Sequence, residues 1–144
     1  MWQFKNNERL SEWRKFRRAL NTSNTILDDI RKFWEHAPVG PNVYDWSNPK
    51  EWPTPWDLVL EDSYDDFARA LGMTMTFLLI DGVDSNRIAL NVYIDREQSA
   101  FYHLPIIDNQ IVLNYNWGSL EQKDSISSTA ELQYSYRYND FRLG

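Results

Sequence analysis

A segment rich in proline and tryptophan limits the folds open to this chain more than any other feature. Residues 38–56, PVGPNVYDWSNPKEWPTPW, hold five of the six prolines and three of the seven tryptophans in the 144-residue sequence. Because proline fixes φ and restricts the residue before it, we predict ordered extended coil for this segment, which we call the strap. We expect Trp52 and Trp56 to be largely buried within the domain; contact of these two rings with a partner is the alternative.

Two amphipathic helices are predicted within residues 8–37, before the strap. In the second, TSNTILDDIRKFWEHAP, apolar residues recur at the spacing of a buried stripe, and Pro38 ends the helix. The first, ERLSEWRKFRRAL, carries a basic outer face. That face is either a solvated surface or a docking face for an acidic neighbour. The residues of the basic face are Arg9, Arg14, Lys15, Arg17 and Arg18, of which Arg14, Arg17 and Arg18 are the candidate binding residues.

A helix followed by β-strands is predicted for residues 57–118. A short helix follows Thr54 and Pro55, and DSYDDFARALG, residues 62–72, starts a second. Alternation and turn residues then predict four strands. The strands are predicted at 73–81, 87–95, 99–108 and 110–118.

Residues 119–144 are predicted to form a β arm, either a last strand or a segment that becomes ordered on a partner. Tyr134, Tyr136 and Tyr138 alternate with polar residues there and are candidate binding residues. The order of elements predicts one α+β domain over residues 1–144, with N-terminal helices packed on an antiparallel sheet of about four or five strands.

Composition narrows the possible functions. A formal net charge of −6 argues against a nucleic-acid binder, and the absence of cysteine excludes thiolate catalysis, disulfides and cysteine-type zinc sites. The first residues show no secretory signal, and the apolar run MTMTFLLI is too short to span a bilayer, so we expect a soluble protein made in the cytoplasm. The acids Glu61, Asp62, Asp65 and Asp66 could gather a cation, but acids at a helix start more often complement its dipole. We therefore predict no metal and no cofactor.

Residues 60–118 resemble the core of the transglutaminase-like, papain-related cysteine peptidases. The resemblance lies in DSYDDFARALG and in the later HLPIIDNQIVLNY. In that family a cysteine opens the helix, a histidine begins a strand, and an aspartate or asparagine follows on the next strand. The resemblance implies a transglutaminase-like fold and places Tyr64, His103 and Asn114 at those three positions.

The hairpin geometry supports part of this arrangement independently. His103 and Asn114 lie on either side of the predicted Asp108-Asn109 turn, so a symmetrical hairpin places them roughly opposite each other. Because Tyr64 stands where the family has cysteine, and a phenol is a poor nucleophile, the three residues are predicted to form a hydrogen-bonded cluster without catalytic activity. Tyr64 is expected to face His103.

The whole chain also resembles small proteins of tailed bacteriophages, through WRKFRRAL, HAPVGPNVYDW, WPTPWDL and DDFARALGM. That resemblance implies a non-enzymatic structural or assembly protein of the virion, such as a head-tail connector, neck or tail component. The implied partners are other virion proteins or further copies of the chain, with no nucleic acid and no membrane. One alternative is a hydrolase or acyl transferase that uses His103 with Ser63 or another nucleophile. A further alternative is an acidic phage inhibitor that mimics nucleic acid.

Overall fold

Four α-helices precede five β-strands along the chain, and the computed structural model describes every residue from Met1 to Gly144. The fold is α+β, as the order of predicted elements indicates. No helix combines the length and the apolar character that crossing a membrane requires. The elements are α1 (Asn6–Leu20), α2 (Ile26–Glu35), α3 (Pro55–Val59), α4 (Asp66–Leu78), β1 (Ile88–Asp95), β2 (Ala100–Ile107), β3 (Ile111–Asn116), β4 (Ser119–Gln122) and β5 (Glu131–Tyr136).

The five strands form one antiparallel sheet in the order β4-β3-β2-β1-β5. Asp108 and Asn109, both with positive φ, form the turn between β2 and β3, where Ile107 pairs with Ile111. Asp and Asn tolerate this left-handed conformation better than other non-glycine residues. The last strand, β5, pairs with β1, so residues 131–136 belong to the sheet and are not an arm that awaits a partner.

Helix α4 runs through the segment that the alternation of Met73, Thr74, Met75 and Thr76 predicts as a strand, so that prediction is wrong. All residues from Ala70 to Leu78 are buried. A helix buried all round has no polar face, and the spacing of its apolar residues therefore carries no helical period. The Thr74 and Thr76 hydroxyls donate to carbonyls one turn back along the helix, at 2.8 and 2.7 Å, which satisfies them inside the core.

Helices α2 and α4 approach each other closely at one point. A Cβ atom built on Gly72 would lie 2.5 Å from the ring of Trp34, well inside any permitted contact. The Trp34 indole N–H donates to the Thr76 hydroxyl at 3.0 Å, which fixes the ring over the glycine. Gly72 is therefore a packing position in mid-helix rather than the end of a helix.

The strap lies against the core through one fully buried ring. Trp52 has no exposed surface; its indole N–H donates to the Asp45 carbonyl at 2.7 Å, and its ring packs against Phe67 and Tyr136. Trp56, in the first turn of α3, stays 36% exposed, with its ring edge-on to Trp13. The expectation of burial therefore holds for Trp52 and is wrong for Trp56.

Candidate active site

The start of α4 supplies the first part of the candidate site. Asp65 is the N-cap residue, and its carboxylate accepts a hydrogen bond from the Ala68 backbone N–H at 2.8 Å. Asp66 is the first residue of the helix, and its side chain points instead toward β2 and β3. Both carboxylates lie at the positive end of the helix dipole.

His103 on β2 pairs with Asp66. The imidazole Nδ1 lies 2.8 Å from Asp66 Oδ2, and the histidine is only 7% exposed. Because a carboxylate only accepts, His103 donates from Nδ1 in this contact. The other ring nitrogen, Nε2, is buried without a hydrogen-bond partner, in a ring that packs against Phe67 and Trp46.

Asn114 on β3 joins the other two residues. Its amide Nδ2 donates to Asp66 Oδ1 at 3.1 Å and to the His103 carbonyl at 2.9 Å. Asn114 has φ +67°, in the stretch where the register between β3 and β4 shifts, and this local irregularity turns the amide toward the helix start. Each Asp66 oxygen therefore has one partner from the sheet, and the carboxylate is held in a single orientation.

Tyr64 does not belong to this cluster, so the expected hydrogen bond between Tyr64 and His103 is not formed. The Tyr64 hydroxyl donates to the Leu58 carbonyl at 2.7 Å, and its ring packs against Trp2 and Trp34. Burial raises the pKa of this phenol well above its ordinary value. Its backbone is bridged to the strap, because Tyr64 N–H donates to the Pro38 carbonyl and the Tyr64 carbonyl accepts from Gly40.

The site forms around Asp66 because the helix begins two residues later than the motif suggests. The bridge to the strap keeps the backbone of Tyr64 extended. Asp66, the first residue of the helix, is therefore the residue whose side chain faces His103. The sequence feature that points to Asp66 is its place as the second acid of an acidic pair at a predicted helix start. Ser63, the alternative nucleophile, donates its hydroxyl to the Pro41 carbonyl at 2.7 Å and is held by the strap.

A small cavity lies beside the cluster on the side of Asp66. Its volume is about 150 Å³, and 45% of the Asp66 side chain is exposed. The residues that line it are Glu35, Asp66, Arg69, Asn114, Tyr115, Asn116 and Trp117. Asp66 and Asn114 are therefore the members of the cluster that a ligand or a water molecule can reach, whereas His103 does not line the cavity. The chain contains no group of three or more His, Asp or Glu side chains arranged to hold a metal ion.

The predicted binding residues on the first helix differ in exposure. Arg14 and Arg18 are exposed, whereas Arg17 lies over the ring of Trp13 at 4.3 Å, and burial together with the neighbouring arginines lowers its pKa. Arg9 is buried and donates to four backbone carbonyls, so it does not belong to the basic face.

The predicted aromatic binding residues also differ in exposure. Tyr134 and Tyr138 are exposed, which leaves them available to a partner. Trp52 and Tyr136 are buried, and their assignment as partner contacts is corrected because both rings pack inside the domain. Burial raises the pKa of Tyr136 to about 12.

Solved structures of LapG from Legionella pneumophila are similar to this chain. The calcium-bound structure matches with a TM-score of 0.71 at 11% identity, over 94% of this chain and 78% of LapG. A second LapG structure and an EGTA-treated one match at 12% identity, with TM-scores of 0.71 and 0.70, over 94% of this chain and 77% and 76% of LapG. LapG is a transglutaminase-like, papain-related protease. This chain has the transglutaminase-like fold. The sequence matches no protein-family model and no curated protein.

The transglutaminase-like fold overturns the main functional expectation from the sequence. The sequence predicts a non-enzymatic structural or assembly role in a phage particle, and this prediction is wrong, because the LapG structures to which the chain is similar are those of a protease. The resemblance of residues 60–118 to the transglutaminase-like core is confirmed at the level of the fold. The resemblance to phage proteins gains no support.

Proposed function

We propose that this protein is a hydrolase that cleaves an acyl bond, an amide or an ester, with a water molecule activated by Asp66 and His103. The observation that carries the proposal is the 2.8 Å contact between His103 Nδ1 and Asp66 Oδ2 at the first residue of α4, on the fold of a protease. A carboxylate and an imidazole paired beside an accessible cavity are suited to general acid–base catalysis.

Water is the nucleophile that this site leaves available. The chain has no cysteine, and the hydroxyls of Tyr64 and Ser63 are committed to backbone carbonyls. The carboxylate of Asp66 already has both oxygens engaged, which favours a role in accepting a proton over direct attack on the substrate.

The reaction follows from these contacts. A water molecule in the cavity donates a hydrogen bond to Asp66 and gives its proton to the Asp66–His103 pair as its oxygen attacks the acyl carbon. The pair then returns the proton to the departing amine or alcohol, so the net reaction consumes one water. Asn114 holds the Asp66 carboxylate and the β2 backbone in place throughout.

The proposal is tested by measuring hydrolysis of a panel of aryl esters and peptide amides by the purified protein. Asp66→Asn and His103→Gln should each lower kcat/KM by about 10²- to 10⁴-fold, the usual contribution of a positioned acid or base. The matched control is His36→Gln, which removes an exposed histidine at the end of α2 and should leave the rate unchanged. Thermal melts check that each variant is folded.

Two results would contradict the proposal. One is a wild-type protein that hydrolyses no substrate in the panel. The other is a rate that folded Asp66→Asn and His103→Gln variants retain in full.

A further inference from the structure

Arg69 is a half-buried cation without a partner, and it lies beside the proposed catalytic pair. It follows Asp66 by three residues on α4, so both side chains lie on the same face of the helix, and both line the 150 Å³ cavity. No carboxylate lies within 4.0 Å of its guanidinium, and no hydrogen bond satisfies any of its donors. Its Nε is buried and unpartnered.

Two of the other inward-lying arginines have polar partners: Arg9 donates to backbone carbonyls, and Arg31 binds Asp28 and Glu35. Arg17 also has a buried Nε without a hydrogen-bond partner, but its guanidinium lies over the ring of Trp13. A buried guanidinium donor without an acceptor is costly, and an acceptor supplied by a ligand or a water molecule would remove that cost at Arg69.

The carboxylates in the cavity wall are not available to Arg69. Glu35 Oε2 binds Arg31 at 2.7 Å, and its Oε1 accepts from the Gly118 backbone N–H at 3.0 Å. Asp66 is held by His103 and Asn114. The guanidinium of Arg69 is therefore the unpaired charged group that a ligand would contact in the cavity. Its planar set of donors matches the geometry of a carboxylate.

The rim of the cavity carries an exposed aromatic ring. Trp117 is 69% exposed in the turn between β3 and β4, and the contact of Gly118 with Glu35 ties that turn to α2. An indole held in this way offers a flat apolar surface beside a charged pocket. The volume of the cavity is small, about 150 Å³, which favours one short side chain over a large one.

We infer that Arg69 binds the carboxylate of an acidic side chain next to the bond that is cleaved, and that the cavity selects aspartyl or glutamyl substrates. This inference rests on the proposed hydrolase function for its catalytic part. The binding part rests on Arg69 and the cavity alone. Repulsion from the Asp66 carboxylate directs the ligand's charge toward Arg69 and leaves its acyl carbon for the activated water.

The test compares matched substrates that differ only in Glu against Gln beside the scissile bond. The wild-type protein should favour the Glu substrate by about 10- to 100-fold in kcat/KM, as expected for a charged hydrogen-bonded pair. Arg69→Gln should reduce that ratio to about 1, and Arg69→Glu should invert it. Arg96→Gln, a substitution at an exposed position just after β1, is the matched control and should leave the ratio unchanged.

A binding measurement separates the two proposals. N-acetylglutamate and N-acetylglutamine are titrated into the wild-type, Arg69→Gln and Asp66→Asn proteins, and the heat of binding is measured by calorimetry. Selective binding of N-acetylglutamate that Arg69→Gln abolishes and Asp66→Asn keeps supports the pocket, even if no hydrolysis is found. Hydrolysis with equal rates on the Glu and Gln substrates, or equal binding of the two ligands by the wild-type protein, overturns the inference and leaves the hydrolase proposal standing.

Discussion

Asp65 and Asp66 are adjacent in the sequence and have different roles in the structure. The Asp65 carboxylate caps α4 through the Ala68 N–H, whereas the Asp66 carboxylate turns to His103 and Asn114. Capping satisfies one of the free N–H groups of the first turn, so the helix start does not depend on Asp66. Asp66 can therefore be replaced in an experiment without removing the N-cap.

Tyr64 leads to a prediction about stability at high pH. Burial raises the pKa of its phenol, whereas in the unfolded chain the phenol has a pKa of about 10. Its contribution to the free energy of unfolding is therefore constant below about pH 10 and is lost as the pH rises toward the folded pKa. Tyr64→Phe should cost about 1 kcal/mol at pH 8, through the lost hydrogen bond to Leu58, and should lose less stability than the wild type between pH 8 and 11.

Urea unfolding curves at several pH values measure this difference. Tyr138→Phe, at an exposed position, is the matched control. If the wild-type and Tyr64→Phe proteins lost stability in parallel above pH 10, the argument from burial would be wrong.

The strap is an element without regular structure whose two tryptophans should contribute unequally. Trp52 is fully buried between Phe67 and Tyr136, so Trp52→Ala should lower the free energy of unfolding by about 3–5 kcal/mol. Trp56 keeps contacts with Trp13 and Arg17 but is partly exposed, so Trp56→Ala should cost about 1–2 kcal/mol. Thermal and chemical unfolding of both variants checks the order, and a larger loss for Trp56→Ala would contradict the assignment.

The sequence predicts strands well where polar turns mark their ends. The strands expected at 87–95 and 99–108 correspond to β1 and β2 to within one residue, because polar turns bound them on both sides. It fails for the second half of α4, since a segment buried on every side carries no periodic signal.

The local sequence pattern also does not predict which residue faces His103. The helix start depends on the bridge between Val39 and Tyr64, a contact between segments 25 positions apart along the chain. The spacing of His103 and Asn114 across a turn was visible in the sequence, because a hairpin fixes such distances locally. The third residue of the site, Asp66, was not visible in the sequence, because contacts between distant segments place it there.

At the scale of the whole molecule, the C-terminal residues close the domain. β5 covers one edge of β1, the Tyr136 hydroxyl donates to the Trp46 carbonyl at 2.9 Å, and Phe141 packs on Trp52. The strap is therefore held by residues about 90 positions further along the chain, and such distant contacts form only when the whole chain is folded.

Removal of residues 131–144 should abolish cooperative unfolding. The truncated chain loses the strand beside β1 and two buried rings, and it exposes an apolar strand edge that favours aggregation. Calorimetry and size-exclusion chromatography measure the outcome. Removal of residues 143–144 alone is the matched control and should keep a single thermal transition. A monomeric product with a cooperative transition after the longer truncation would contradict this account.

The close contact of Trp34 with Gly72 also bears on how sequences with this architecture can diverge. Any side chain at position 72 collides with a large ring, and a smaller ring at position 34 leaves a void above the glycine. A substitution at either position alone should therefore lower stability. We expect the two positions to change together, with a larger residue on one helix and a smaller residue on the other. Covariation of these two positions among related sequences would mark lineages that keep the same spacing between the two helices.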